Sequence, residues 1–412
     1  MTRSPLFLTS VLLGACGGGT TVVDPPPPPA DNFVFTFRPD AEDQASAQAL
    51  GWGTVVPDAD VTLTPKDPLL GGTQTHRTTA AGTLTIARLT AGDYVVEAKR
   101  WLSDTERGRL TAGDDAVGFV AKAYVRVSSG GGQIGVAVPA SRRRSLVISE
   151  FFDNYTYPTP AAPYQDNSFV ELYNNADTVI HMDGMLLARG LAPSYDYETF
   201  PCVVYTPLTM DPSGVWVRWI AKFPGSGGAY PIPPGGSIVV ATDAIDHSVI
   251  VPGGLDLRSA QFEMIGVADV DNPSVPNMID ITEGGTSNEH GMNWPASNAS
   301  VTVLALATST TSLPHALIPG NLGVQVLRLP RERILDVRAL HGKYVAAFPL
   351  CPSIVHPNFD RVMATLFLGD EFTLSSQRKT APILFSGRKI LQHTRSSDAD
   401  LISALRSPGV VP

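Results

Sequence analysis

Apolar and polar residues alternate with a period of two along most of this chain, in short runs. The clearest begins with Leu146, Ile148 and Phe151. It continues as Phe169-Val-Glu-Leu-Tyr173 and, after the turn formers Asn174-Asn175-Ala-Asp177, as Val179 to Leu187. Period two predicts three successive strands, each with one buried face. Glu171 falls among the apolar residues of the second strand. A carboxylate there is expected to accept backbone N–H groups of a neighbouring loop, a structural rather than a catalytic task.

The same alternation marks Phe33 to Phe37 and Asp58 to Thr64. Thr79 to Ala98 reads as two strands around a turn at Gly92-Asp93, and Ala123–Val127 with Gln133–Val138 as a hairpin around a glycine loop. Further strands are predicted at Ser237 to Ala241, Ser300 to Ala305, Gly323 to Leu329, Arg361 to Leu368 and Pro382 to Phe385. A helical turn is predicted at Asp398 to Leu405. Leu191 to Pro231 reads as an insertion rich in Tyr195, Tyr197, Phe200, Tyr205, Trp216, Trp219, Phe223 and Tyr230. It is either an exposed surface, with Trp216 and Tyr230 as anchors for a sugar or protein, or a lid that closes the end of a sandwich. Val215-Trp-Val-Arg-Trp219 alternates so that the two tryptophans take opposite faces, Trp219 the more buried.

Composition sharpens this picture. With 412 residues the chain exceeds what one core usually serves, so two or three domains are expected. Charged residues are only 17 % of it while Gly number 37 and Pro 35, a balance that suits many short strands and turns and a mainly β class. A net charge of −9 argues against nucleic acid as a partner. The one basic run, Arg142-Arg-Arg144, reads as a solvated linker.

Placement is written at the N-terminus. One positive charge, a short apolar run and Leu13-Gly-Ala-Cys16 have the layout of a secretory signal. The apolar run is far short of the ~20 residues that span a bilayer. Gly17 to Ala30, with three glycines and the five prolines Pro25 to Pro29, reads as a tether reaching on the order of 40 Å at ~3.1 Å per residue.

Catalytic motifs are absent: no His-Glu-x-x-His, Gly-x-Ser-x-Gly, phosphate loop or Cys-x-x-Cys occurs. Cys202 and Cys351 are either a disulfide, worth very roughly 4 kcal/mol in the chain-entropy view, or two buried thiols. Asp269, Asp271 and Asp280 offer the alternating oxygens of a Ca2+ loop, yet lack the glycine and glutamate of an EF-hand, and a polar loop held by Asx turns is the other reading. His247, beside Asp246, and His393, near Asp398, read as structural hydrogen-bonding residues. No cofactor is otherwise expected.

Several pieces resemble known families. Leu13-Gly-Ala-Cys16 resembles the bacterial lipobox, in which the cysteine is lipidated; Cys16 would then anchor the protein to a membrane by acyl chains, and Gly17, not aspartate, after it points to the outer membrane. Ile148-Ser-Glu150, Glu171-Leu-Tyr-Asn174 and Gly184-Met-Leu-Leu187 resemble the opening of the lamin-tail domain, an immunoglobulin-like sandwich. Within that superfamily the chain is most similar to an uncharacterised group of bacterial lipoproteins of Bacteroidota type, through Phe223 to Gly227, Tyr230 to Ala241, Ala244 to His247, Asp269 to Pro276 and Gly387 to Asp398. Asp60-Val-Thr-Leu, Thr79 to Ile86 and Leu89 to Val96 resemble the carboxypeptidase-regulatory-like sandwich, in which a Gly-x-Tyr-x-Val piece starts a core strand and turns its tyrosine inward. These resemblances imply a signal peptide at 1–16, a tether at 17–30, and two β-sandwich, immunoglobulin-like modules at 31–143 and 144–412, the second lamin-tail-like with long insertions. They imply a cell-surface or outer-membrane lipoprotein that binds a surface protein or glycan without catalysis. The alternative is a secreted metal-dependent hydrolase or nuclease with a site near Asp246, His247, Asp269 and Asp271.

Overall fold

Phe33, Phe35 and Phe37 alternate along the strand Asn32–Pro39, and all three are buried in one core. The computed structural model describes residues 32–143, 146–152, 156–159, 162–164, 166–191, 202–264, 271–282, 299–318, 325–342, 354–366 and 373–412. These residues form a mainly β structure of several open sheets. Among them, no helix is long and apolar enough to cross a membrane.

Asn32–Pro39 lies between Thr83–Ala87, antiparallel, and Gly132–Val138, parallel. A second sheet runs in the order Gln74–Arg77, Asp60–Pro65, Gly92–Trp101, Ala116–Val127, Ala140–Arg142. Both sheets feed the same core, the second through Val61, Leu63, Tyr94, Val96 and Phe119. Tyr94 is turned inward, as expected, and its hydroxyl donates to Thr90 O at 2.9 Å.

Neither expected hairpin forms. Thr83–Ala87 and Gly92–Trp101 lie in different sheets, and so do Ala116–Val127 and Gly132–Val138. Alternation specifies which face of a strand is buried, not which strand it pairs with. The glycine loop carries the chain across the core. Gly130 and Gly131 take φ of 101° and 76°, and a Cβ on Gly131 would stand 2.8 Å from Asn32 O. The basic run is not a solvated linker either. Arg142 ends the edge strand Ala140–Arg142 and donates to Asp43, Asp114, Asp115 and Ser46, which offset its loss of water.

The remaining residues build two larger sheets. One runs Phe262–Glu263, Ser237–Ala241, Phe169–Asn174, Leu146–Phe152, Leu374–Arg378, Leu401–Leu405. The other has eight strands, among them Leu186–Gly190, Gly214–Lys222, Ala299–Ala305, Gln325–Pro330 and Ile334–Gly342. Ile148, Val170 and Leu172 from the first meet Leu187, Trp219 and Leu304 from the second in a shared core. The supposed insertion therefore supplies a central strand, Gly214–Lys222. Val179 to Leu187 is two pieces: Ile180–His181 pairs with Pro231–Ile232, and Leu186–Gly190 enters the eight-stranded sheet. Asp398 to Leu405 is a turn, Ser397–Asp400, followed by a strand, because Leu401–Leu405 completes a sheet edge beside Leu374–Arg378.

Leu146–Phe152 and Phe169–Asn174 are buried on both faces, where alternation predicted one. The covering comes from later in the chain. Ser407 N–H donates to Glu150 Oε1 at 2.9 Å, and Gly409 N–H to Glu171 Oε2 at 2.8 Å. These two carboxylates sit opposite each other in the strand register, both 0 % exposed. Glu171 accepts backbone N–H as its position suggested. Burial first, and the neighbouring Glu150 as well, lift its carboxyl from 4.5 to about 7 despite the Gly409 and Ser149 hydrogen bonds.

The sign of the resulting pH effect is fixed. A carboxyl whose pKa is higher in the folded chain binds its proton more tightly there, so its contribution is present below about 4.5 and is lost as pH rises through about 7. Urea unfolding of the wild type and Glu171→Gln across that window should show the wild type losing ground to the variant as pH rises. A wild type that gains relative to the variant would show that Glu171 is stabilised as the anion.

Candidate functional site

Asp336 and Arg378 are charged residues on inner strands, Asp336 on Ile334–Gly342 and Arg378 on Leu374–Arg378. Both are buried, and each holds the other there. Arg378 Nη2 donates to Asp336 Oδ2 at 2.7 Å, its Nε to Ile148 O at 2.9 Å, and Ile148 N–H to Asp336 Oδ2 at 2.8 Å. The second oxygen, Oδ1, receives His393 Nε2 at 3.0 Å. Burial pushes this carboxyl up, but Arg378 and His393 together hold it below the usual carboxylate range.

His393 comes from the loop after the strand Arg388–Leu391. That loop, Gln392 to Asp400, is buried although it is almost wholly polar. It is folded around the carboxylate of Asp400, which accepts Thr394 N–H at 2.8 Å, Thr394 Oγ1 at 2.9 Å and Gln392 Nε2 at 3.0 Å. Arg395 turns the chain at φ 58°, a left-handed conformation that a non-glycine residue adopts only when its surroundings enforce it. Here Arg361 N–H donates to Arg395 O at 2.7 Å and Asp398 N–H to Val362 O at 2.9 Å. Asp360 caps the neighbouring turn, accepting Ser397 N–H at 2.8 Å and Ala339 N–H at 3.0 Å. With no cation beside it, burial lifts its carboxyl to about 7.

The loop also meets the N-terminal sheets. Asp398 accepts Lys122 Nζ at 2.7 Å and Tyr124 Oη at 3.0 Å, and Arg142 N–H donates to His393 O at 3.0 Å. Arg361 pairs with Asp40 and Arg395 with Glu42. Val117 packs beside Ala381 and Ile390 in a small apolar contact. Next to this seam lies a cavity of about 260 Å³ lined by Arg331, Asn358, Phe359, His393 and Arg395 together with the strand from Ile334 to Val337. His393 is 3 % exposed, and its Nδ1 has no hydrogen-bond partner among the described residues. The Asp336 carboxylate at Nε2 requires a proton on that nitrogen.

At this point comparison with known proteins bears on the chain. Residues 233–318 match the family model of DUF4876, a protein of unknown function. The DUF4876 segment covers Ser237–Ala241 through His315–Leu317, and it contains the Ala244 to His247 and Asp269 to Pro276 pieces. A crystal structure of a DUF4876 family protein from Bacteroides thetaiotaomicron VPI-5482 has the same fold, with TM-score 0.52 and 17 % identity over 92 % of this chain and 95 % of that one. A DUF3823 family protein from Bacteroides uniformis ATCC 8492 aligns with TM-score 0.17 and 11 % identity over 73 % of this chain and 96 % of that one. No curated protein matches the chain.

The residues singled out from the sequence are scattered. Trp216 and Trp219 do take opposite faces, Trp219 the more buried, but Trp216 is only 9 % exposed. It is packed with Leu191, Ile318 and Val326, and its Nε1 donates to Asp211. Tyr230 is half-buried with its ring edge on Phe262 at 5.0 Å. Trp216 is thus not the exposed anchor expected, because both sides of Gly214–Lys222 are covered where it sits. Asp271 accepts from Asn277, Asp280 makes an Asx turn with Thr282, and Asn272 makes another with Ser274. Asp269 lies outside the described residues, and among those described no three His, Cys, Asp or Glu side chains gather to hold a metal ion. His247 has both ring nitrogens engaged, Nδ1 with Tyr164 Oη at 2.6 Å and Nε2 with Asp243 O at 2.9 Å, while Asp246 caps Ser248. Cys16, the Cys202 side chain and Cys351 also lie outside the described residues.

Sequence reasoning named His393 but missed Asp336, Arg378, Arg331 and Arg395. Charges interrupt the apolar alternation of Ile334-Leu-Asp-Val-Arg-Ala-Leu340 and Leu374-Ser-Ser-Gln-Arg378, and neither was read as a strand. The usable signal was Ile334, Val337, Ala339 and Leu340 bracketing two opposite charges. Because Asp336→Asn leaves the Arg378 guanidinium without its main counter-charge, it should destabilise the protein by about 3–5 kcal/mol in urea unfolding. Arg77→Ala at the exposed Arg77–Asp60 pair should change stability by less than ~1 kcal/mol. Equal effects would mean that the buried pair carries no special weight.

Proposed function

We propose that this protein is a lipid-anchored, non-enzymatic binding module of the outer membrane. In this reading Cys16 carries the acyl chains and residues 17–30 hold the body off the membrane. Of two immunoglobulin-like modules, 31–143 and a lamin-tail-like 144–412, the second carries a ligand site beside the seam with the first. The observation that carries it is the cavity beside His393. Its walls, Arg331, Asn358, His393 and Arg395 beside Phe359, offer polar and cationic groups to a ligand. The ion pairs and the Asp398 hydrogen bonds across the seam favour a rigid, pre-formed site, which lowers the entropic penalty of binding. The lipobox and tether support presentation at a surface.

Two measurements test this. Cys16→Ser should move the protein from the membrane to the soluble fraction with its melting temperature unchanged; a variant that stays with membranes through high-salt washing contradicts the anchor. On an array of neutral, amino and acidic glycans, the detergent-solubilised protein should show binding that Asn358→Trp abolishes and Trp216→Phe leaves intact. Asn358 lines the cavity, and its side chain makes no hydrogen bond among the described residues, so the larger residue fills the space and spares the fold. Binding indifferent to Asn358→Trp would place the site elsewhere.

A further inference from the structure

Residues 406–412 are held unlike the strands they cover. We propose that they form a strap, docked on the six-stranded sheet while the facing Glu150 and Glu171 keep a proton between them, and released as rising pH removes it.

After Leu401–Leu405 the backbone leaves the ladder and closes a turn, Val410 N–H donating to Ser407 O at 3.0 Å. Side chains of the sheet tie it down. Ser407 N–H and Oγ donate to Glu150 at 2.9 and 3.0 Å, Gly409 N–H donates to Glu171 at 2.8 Å, and Gln377 Nε2 donates to Ser407 Oγ at 3.1 Å. Further along, Val411 packs on Val147, Tyr173 and Leu391, and Lys389 Nζ donates to Val411 O at 3.1 Å. Val410, between these contacts, is 63 % exposed. A segment fastened at points, with little apolar burial, opens at lower cost than the strands beneath it.

Two of those fastenings are carboxyls that lie opposite each other in the strand register, and both are 0 % exposed under the strap. Two carboxyls facing each other out of water cannot both ionise cheaply, so together they retain a proton that either alone in water would give up. Burial first, and Glu150 with it, puts the Glu171 carboxyl at about 7, although Gly409 N–H and the hydroxyls of Ser149 and Ser237 pull the other way. The cations on neighbouring elements are engaged elsewhere. Arg406 lies over the Phe152 ring and donates to Gly253 O, Lys389 holds the far end of the strap, Arg378 is bound to Asp336, and Arg338 lies over Phe151 and donates to Ser376.

Opening the strap lets water reach the pair. The Glu171 carboxyl then returns toward its ordinary 4.5, so opening expels a proton wherever the pH lies between about 4.5 and 7. Loss of Gly409 N–H opposes this, but burial is the larger influence. Docking is therefore firmest below that window, weakens as pH rises through it and levels off above it.

Amide hydrogen exchange of the detergent-solubilised full chain between about pH 5 and pH 8, corrected for the intrinsic pH dependence of exchange, tests this. The Ser407 and Gly409 amides should open about tenfold or more as often at the upper end, while the amides of Phe169–Asn174 beneath them stay better protected at every pH. In Glu171→Gln, which keeps the shape and cannot ionise, opening at Ser407 should be level across the range. Ser407 and Gly409 exchanging no faster than Phe169–Asn174 would mean that strap and sheet open only together, and overturns the proposal. So does a wild-type opening that is flat or falls as pH rises, or one that rises equally in Glu171→Gln. The first two of these outcomes are read on the wild type alone, so they stand even if the variant fails to fold.

Discussion

One buried carboxylate, that of Asp336, sets the terms for the second half of the molecule. An ionised group out of water is tolerable only when its oxygens are met by donors in good geometry. Here the donors come from three separated stretches: Ile148 on the first strand of the six-stranded sheet, Arg378 on its penultimate strand, and His393 on the loop that follows. Meeting all three at once fixes how the two large sheets lie together and where the loop turns. Apolar burial between the sheets supplies the bulk of the driving force, but Leu and Val contacts alone would accept several neighbouring registers. The charge accepts one.

The loop Gln392 to Asp400 extends that constraint to the N-terminal sheets. Its polar atoms are shared among Asp400, Asp360, Lys122, Tyr124 and the backbone of residues 361 and 362, and a network of that kind rigidifies only when nearly complete. The buried carboxyls within it differ in state because they differ in neighbours. Asp336 has a guanidinium and an imidazole and stays low, whereas Asp360 has hydroxyl and N–H donors alone and is lifted to about 7. The atom left over from this arrangement, His393 Nδ1, faces no protein partner among the described residues. Arg361 Nε, at the same seam, is likewise without a hydrogen-bond partner among the described residues.

Much of the architecture was legible in the sequence where burial is one-sided. Phe33 to Phe37 and Asp60 to Leu63 follow the pattern closely, and Tyr94 points inward as the resemblance to the carboxypeptidase-regulatory-like sandwich implies. Two kinds of feature were not legible. Pairing partners were misassigned around Gly131, because alternation carries no record of which sheet a strand joins. Strands covered on both faces or carrying buried charge were missed or read as insertions, as with Gly214–Lys222, Ile334–Gly342 and Leu374–Arg378. The site is built from the last two, so the chemistry lies where the apolar code is deliberately broken, and Asp336 and Arg378 gain meaning only once the fold brings them together.

The central claim is that the buried Asp336 carboxylate holds Arg378, Ile148 N–H and a proton on His393 Nε2 around itself. Nitrogen-15 spectroscopy of the histidine rings in the full chain reads this directly. The account predicts for His393 a proton on Nε2, protected from solvent exchange, with the protection lost in Asp336→Asn. An Nε2 proton indifferent to Asp336→Asn would contradict it.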